Sequence, residues 1–140
     1  MEIKVQKIKP GAKLPSYAHS NDAGMDIFSI EDVEILPGKI AQIKTGLAFE
    51  LPSDCVGLVW DKSGLSQIHG LKTLGGVLDA GYRGELMVGL INLSNKRYLL
   101  EKGHKVAQLL IQKIEITKIV EVDILGDSSR GAEGFGSTGK

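Results

Sequence analysis

Apolar residues along this chain recur at the close spacing of β-strands rather than at the 3.6-residue period of helices. Ile3, Val5 and Ile8 are separated by Lys and Gln, Val33 and Ile35 precede a Pro37-Gly38 turn, and Ile40, Ile43, Leu47 and Phe49 form the next series. Cys55 to Trp60 is a short apolar run, followed by Leu86 to Leu93 and Val106 to Ile111. The alternating Ile114, Ile116, Ile119, Val120, Val122 and Ile124 come after these. Pro10-Gly11, Leu51-Pro52-Ser53-Asp54, Ser94-Asn95-Lys96 and Lys102-Gly103 punctuate the runs as turn signals. Many short strands with frequent turns predict an all-β sandwich or barrel. Only Ser63 to His69 reads as a short helix.

At 140 residues the chain is one domain, long enough to bury a core without a disulfide or a metal. Lys+Arg and Asp+Glu both number 17, and a net charge of zero argues against general nucleic-acid binding. A small anionic ligand needs only local positive charge. Cys55 is the single cysteine, which excludes an intramolecular disulfide and a Cys-rich metal site. Met1-Glu2-Ile3-Lys4 carries no signal-peptide pattern, and no apolar stretch has the length of a membrane span. The expectation is a cytoplasmic protein that binds neither membrane nor nucleic acid.

Chemistry concentrates in Gly75 to Glu85. This eleven-residue segment holds four glycines and reads as a tight β-hairpin, with Val77-Leu78 leading in and Leu86-Met87-Val88 leading out. Its glycines allow positive φ, or a ligand pressed against the backbone. A segment that only reverses direction has no need of Asp79, Tyr82 and Arg83 together.

The last stretch differs in composition. Residues 126–140 are rich in Gly, Ser and Thr, and Phe135 is their one large apolar residue, so they bury too little to order themselves. They are expected to form a flexible arm beside a domain of residues 1–125. Phe135 suits stacking on a flat ring, while Arg130, Gly136, Ser137 and Thr138 offer donors to anionic oxygens. Gly134 to Lys140 matches most of a Walker A pattern but lacks the following Ser/Thr and helix, so phosphate binding is kept and a P-loop fold is rejected.

Five glycine-linked clusters now stand in order. They are Ala23-Gly24-Met25-Asp26-Ile27, Asp61-Lys62-Ser63-Gly64-Leu65-Ser66, the Gly75–Glu85 segment, Gly103-His104-Lys105-Val106-Ala107-Gln108-Leu109, and Arg130-Gly131 with residues 134–139. In this combination they resemble the five motifs of the trimeric dUTPases, over nearly the whole chain. The resemblance implies a jelly-roll-like distorted β-barrel, a homotrimer with active sites shared between subunits, and an arm that closes over the nucleotide. It also implies hydrolysis of dUTP to dUMP and pyrophosphate with Mg²⁺ on the triphosphate, which limits uracil in DNA and supplies dUMP for dTTP synthesis.

The roles implied for individual residues each have a physical reason. Asp79 matches the acid that activates the attacking water, a task for a carboxylate within hydrogen-bond reach; otherwise it is a turn aspartate bonding its own backbone. Tyr82 matches the ring under the deoxyribose, leaving no room for a 2′-hydroxyl. Main-chain groups around Gly76, Val77, Leu78 and Met87 match the uracil pocket, where cytosine would set donors against donors. Lys62, Ser63 and Gly64 match the phosphate-contacting second motif, and Gln108 a residue of the fourth. Asp26 matches an acid that reaches Mg²⁺ through water, as suits a cation that retains its hydration.

Lys62 stands where the second motif usually has arginine; it keeps the charge and loses bidentate geometry. The related dCTP deaminases share the fold but carry a catalytic glutamate at the position of Gly89, ahead of Asn92. Without a carboxylate there, proton shuttling at cytosine fails. A non-catalytic nucleotide sensor of the same fold is the other rival, opposed by the presence of Asp79 and the arm residues.

Overall fold

The computed structural model describes residues 1–132 and Gly134. Ten strands and one short helix make up the described elements. Strands β1 (Lys4–Lys7), β4 (Ile40–Glu50), β8 (Glu85–Asn92) and β6 (Leu71–Leu74) form one sheet in the order β1-β4-β8-β6. Strands β2 (Met25–Phe28), β10 (Lys105–Lys113), β5 (Cys55–Trp60) and β7 (Val77–Asp79) form a second in the order β2-β10-β5-β7. A ribbon of β3 (Val33–Ile35) and β9 (Tyr98–Leu100) completes an all-β, jelly-roll-like fold. Every strand pairing is antiparallel.

The apolar series predicted from spacing become the facing inner surfaces of these sheets. Ile43, Leu47, Val88 and Leu90 come from the first sheet, and Ile27, Ala107 and Leu109 from the second; all are buried in one cluster. Cys55 is also buried, and loss of solvent, with the Asp54 carboxylate beside it, pushes its thiol pKa up. The predicted helix is present as a single π-type turn, Gly64–Ile68. Among the described residues no helix is long and apolar enough to cross a membrane.

Two expectations are corrected. The Gly75–Glu85 segment is not a hairpin: β7 pairs with β5 in one sheet, while β8 pairs with β4 and β6 in the other. The turn between them is an arch that crosses from sheet to sheet, closed by the Tyr82 N–H donating to the Asp79 carbonyl at 3.0 Å. Partners far along the chain decide the outcome: β7 is committed to β5 and β8 to β4, so the two strands lie in different sheets. The alternating stretch after Lys113 is also not a strand. Its last backbone tie is the Ile114 N–H to the Asp54 carbonyl, and Ile116, Ile119 and Ile124 are exposed. Alternation suits a strand but needs a neighbouring edge, and none is supplied to it by the described residues.

Candidate active site

The arch leaves a concavity. β7 is an edge strand, and β6 covers only the Gly89–Asn92 half of β8, so the facing edges of Val77–Asp79 and Glu85–Val88 lie outside any ladder. Between them is a cavity of about 240 Å³ lined by Val77, Leu78, Asp79, Tyr82, Leu86 and Met87 among others. Spare main-chain donors and acceptors along such edges can read the polar rim of a flat heterocycle.

Local geometry explains the glycines. Gly76 has φ of 104°, its carbonyl accepts the Val59 N–H, and a Cβ there would sit 2.8 Å from the Val59 carbonyl oxygen. The Tyr82 ring lies across Gly84, where an added Cβ would fall 2.3 Å from the phenol oxygen. That close approach lets the Tyr82 hydroxyl donate to the Glu85 carbonyl at 3.2 Å, and Tyr82 is among the residues that line the cavity. Arg83 stays within the arch, donating to the carbonyls of Ala80 and Tyr82 at 2.6 and 2.9 Å.

Asp79 is exposed, and among the described residues its carboxylate has no hydrogen-bond or ion-pair partner. The turn-aspartate reading therefore fails: its carbonyl, not its side chain, closes the turn. The arch itself is anchored from below by Glu85. One Glu85 oxygen accepts the Gly46 N–H at 2.9 Å and the other pairs with Lys9. Burial opposes ionisation of Glu85, but the Lys9 and Gly46 contacts outweigh it and lower the pKa.

A second cavity of about 510 Å³ opens across β2, β10 and β5 and is lined by Gly24, Asp26, Trp60, Lys62 and Gln108 among others. Asp26 is only 3% exposed, yet two cations meet it: Lys62 Nζ is 2.6 Å from Oδ1 and Lys105 Nζ is 2.6 Å from Oδ2. The Lys62 contact is a well-formed hydrogen bond, whereas the Lys105 contact is an ion pair at angles outside hydrogen-bond geometry. Burial pushes the Asp26 pKa up, and the two lysines more than reverse this, so the carboxylate is held below its ordinary range. The Gln108 side-chain amide donates to the Asp61 carbonyl at 2.8 Å. Asp61 in turn accepts from the Thr73 backbone N–H, the Thr73 hydroxyl and Lys72, pinning the strand end that carries Lys62.

A sequence profile of the dUTPase family matches residues 11–139. The deoxyuridine 5′-triphosphate nucleotidohydrolase of Clostridium tetani is 49% identical over 99% of this chain and 97% of its own length. That of Thermobifida fusca is 44% identical over 99% of this chain and 79% of its own. The chain belongs to the dUTPase family. The Staphylococcus bacteriophage 80alpha dUTPase with dUpNHpp superposes with a TM-score of 0.90 at 32% identity, covering 99% of both chains. A dUTPase variant from phage phi11 of S. aureus, whose structure shows coordination of a structural Mg(II) ion, superposes at 0.83 with 29% identity over 89% of this chain and 98% of that one.

Within this dUTPase chain the expected site residues fall into two groups. Asp26, Lys62 and Gln108 share one cavity, and Val77, Leu78, Asp79, Tyr82 and Met87 share the other. Ser63 and Gly64 follow Lys62 into the short helix and are exposed; the Ser63 side chain makes no cap bond there. Arg130 lies in an exposed turn in which the Gly131 N–H donates to the Ser128 carbonyl. Phe135, Gly136, Ser137 and Thr138 lie outside the described residues. Sequence reasoning missed Lys105, whose role appears only when β10 is paired with β2, and Lys9, which reaches Glu85 from 76 positions away. Gly89 is buried in β8 and bears no acid; a Cβ there would meet the Leu74 carbonyl at 3.2 Å.

Proposed function

We infer that this chain hydrolyses dUTP to dUMP and pyrophosphate, with Asp79 as the general base. The observation that carries the assignment is the unpartnered Asp79 carboxylate at the mouth of a cavity whose walls are open strand edges and the Tyr82 ring. An acid with no internal partner, beside a pocket for a flat base, is placed to take a proton from a bound water. The water oxygen bonds to phosphorus, the α–β phosphoanhydride bond breaks, and pyrophosphate leaves. Main-chain groups of Gly76, Val77, Leu78 and Met87 read uracil, and Tyr82 supports the deoxyribose.

Lys62, Ser63, Gly64 and Gln108 bind the triphosphate, and Arg130, Phe135, Gly136, Ser137 and Thr138 close over the nucleotide as an arm formed by residues 126–140. The two cavities have no lining residue in common, which supports active sites shared between copies in a homotrimer. The exposed Ile116, Ile119, Ile124 and Leu125 supply apolar surface for such contacts.

Mg²⁺ is the metal of this reading. Among the described residues no three His, Cys, Asp or Glu side chains converge on one point, which fits an ion carried by the triphosphate rather than by a protein cage. Both oxygens of Asp26 already face lysines, which opposes direct ligation, so any contact of Asp26 with the ion runs through water. The ion, when bound, neutralises charge on the phosphates.

Substrate profiling tests the assignment. Pyrophosphate should be released from dUTP at least a hundredfold faster, by kcat/KM, than from dCTP, dTTP or UTP. Ammonia from dCTP would establish the deaminase instead, and tight dUTP binding without pyrophosphate release would establish a sensor.

A further inference from the structure

Strand register puts a third residue beside the acid and the amide of the larger cavity. On β10, Gln108 pairs with Asp26 of β2 on one side and with Trp60 of β5 on the other. Cross-strand partners project from the same face, so Asp26, Gln108 and Trp60 form one row of carboxylate, amide and indole. All three line the cavity, with Lys62 two positions beyond Trp60.

Trp60 is 54% exposed at this rim, the one exposed residue of β5, and its indole makes no hydrogen bond among the described residues. An indole N–H is a donor with no acceptor function, and its ring offers a flat apolar wall. Its surroundings are polar and cationic: the Gln108 amide, the Lys62 ammonium and the neutralised Asp26. A donor added to that set suits an oxyanion. Trp60 is held for the task from behind, because the following residue, Asp61, is fixed by Thr73, Lys72 and Gln108.

We propose that Trp60 is a nucleotide-binding residue of the phosphate subsite, donating its indole N–H to a phosphate oxygen beside Gln108. The assignment rests on the dUTPase reading of the same cavity. It adds a contact that none of the five motif clusters predicts, since Trp60 precedes the second cluster.

Trp60 is the only tryptophan of the chain, so its emission reports on this position alone. With the intact protein, saturating dUpNHpp, with binding confirmed by calorimetry, should quench or shift the emission and shield it from iodide. Inorganic pyrophosphate should give part of the effect and deoxyuridine none. Trp60→Phe, which keeps the ring and removes the donor, should lower kcat/KM for dUTP about tenfold, mainly through KM. Unchanged emission at saturation, together with unchanged kinetics of Trp60→Phe, would overturn the proposal while leaving dUTP turnover by the parent protein as a separate result. Emission already shielded from iodide without nucleotide would also overturn it, showing that another copy covers the indole.

Discussion

Two of the aspartates that line the cavities, Asp26 and Asp79, have opposite surroundings. Asp26 is buried and meets two ammonium groups; Asp79 is exposed and meets no partner among the described residues. The proposed function gives the same side chain two kinds of work. A carboxylate saturated with cations is locked as an anion and serves to place those cations, which suits a site for phosphates. A carboxylate with open lone pairs can accept a proton from water. Backbone context sets the contrast: Asp26 is paired on both sides, with Gln108 of β10 and with Ser16, and meets Lys105 and Lys62, while Asp79 ends its strand where the chain leaves for the other sheet.

The sharpest way to break this contrast is Asp79→Asn, which keeps size and removes basicity. It should lower kcat for dUTP by roughly 10²–10⁴-fold while dUpNHpp affinity changes little. Tyr82→Ala tests the same cavity from the sugar side. It should erode discrimination between dUTP and UTP by about tenfold or more in the ratio of kcat/KM, since the ring no longer fills the space of a 2′-hydroxyl. On the Asp26 side, Asp26→Asn should raise KM several-fold and destabilise the fold by about 1–3 kcal/mol, below the cost of a fully buried pair because both lysines reach solvent. Chemical denaturation of the variant checks the second value.

Acid titration sharpens the comparison further. Asp26, Asp61 and Glu85 all have folded pKa values below their ordinary ones, so each favours the folded state above the unfolded carboxylate range. That stability is fully present at neutral pH and is lost as pH falls below about 4 through the lowered folded values. Stability should therefore be flat from these groups between pH 7 and about 5, then decline. Asp26→Asn should make the acid limb shallower. Glu85→Gln, a smaller change, should leave the sheets intact and loosen the arch, read as a modest loss of kcat.

Much of the fold was legible because burial patterns are local. The runs around Ile40 to Phe49, Cys55 to Trp60 and Val106 to Ile111 became strands, and Pro37-Gly38 and Lys102-Gly103 became turns with positive φ at Gly38 and Gly103. What was not legible depends on partners distant in sequence. Val77–Val88 reads as a hairpin because nothing local says that β7 joins β5 in one sheet while β8 joins β4 in the other. Residues 114–124 read as a strand because alternation does not say whether an edge is within reach.

Site residues divide in the same way. Asp79, Tyr82, Lys62 and Asp26 stand in motif clusters as candidates by residue type and order, and the structure sets them at two cavities. Lys105 stood within a cluster too, but its pairing with Asp26 follows only from the β2–β10 register. Trp60 read as the end of an apolar run. Its exposure beside a polar cavity reverses that meaning, and no property of the run itself announces it.

The division of labour between the two aspartates is tested most directly by single-turnover hydrolysis of dUTP with Asp79→Asn and Asp26→Asn side by side, with dUpNHpp affinity measured on the same preparations. Asp79→Asn should bind the analogue as the parent does and turn over at least a hundredfold more slowly, while Asp26→Asn should lose affinity and keep most of its rate once saturated. An Asp79→Asn protein that hydrolyses saturating dUTP at the parental rate would contradict the assignment of the general base.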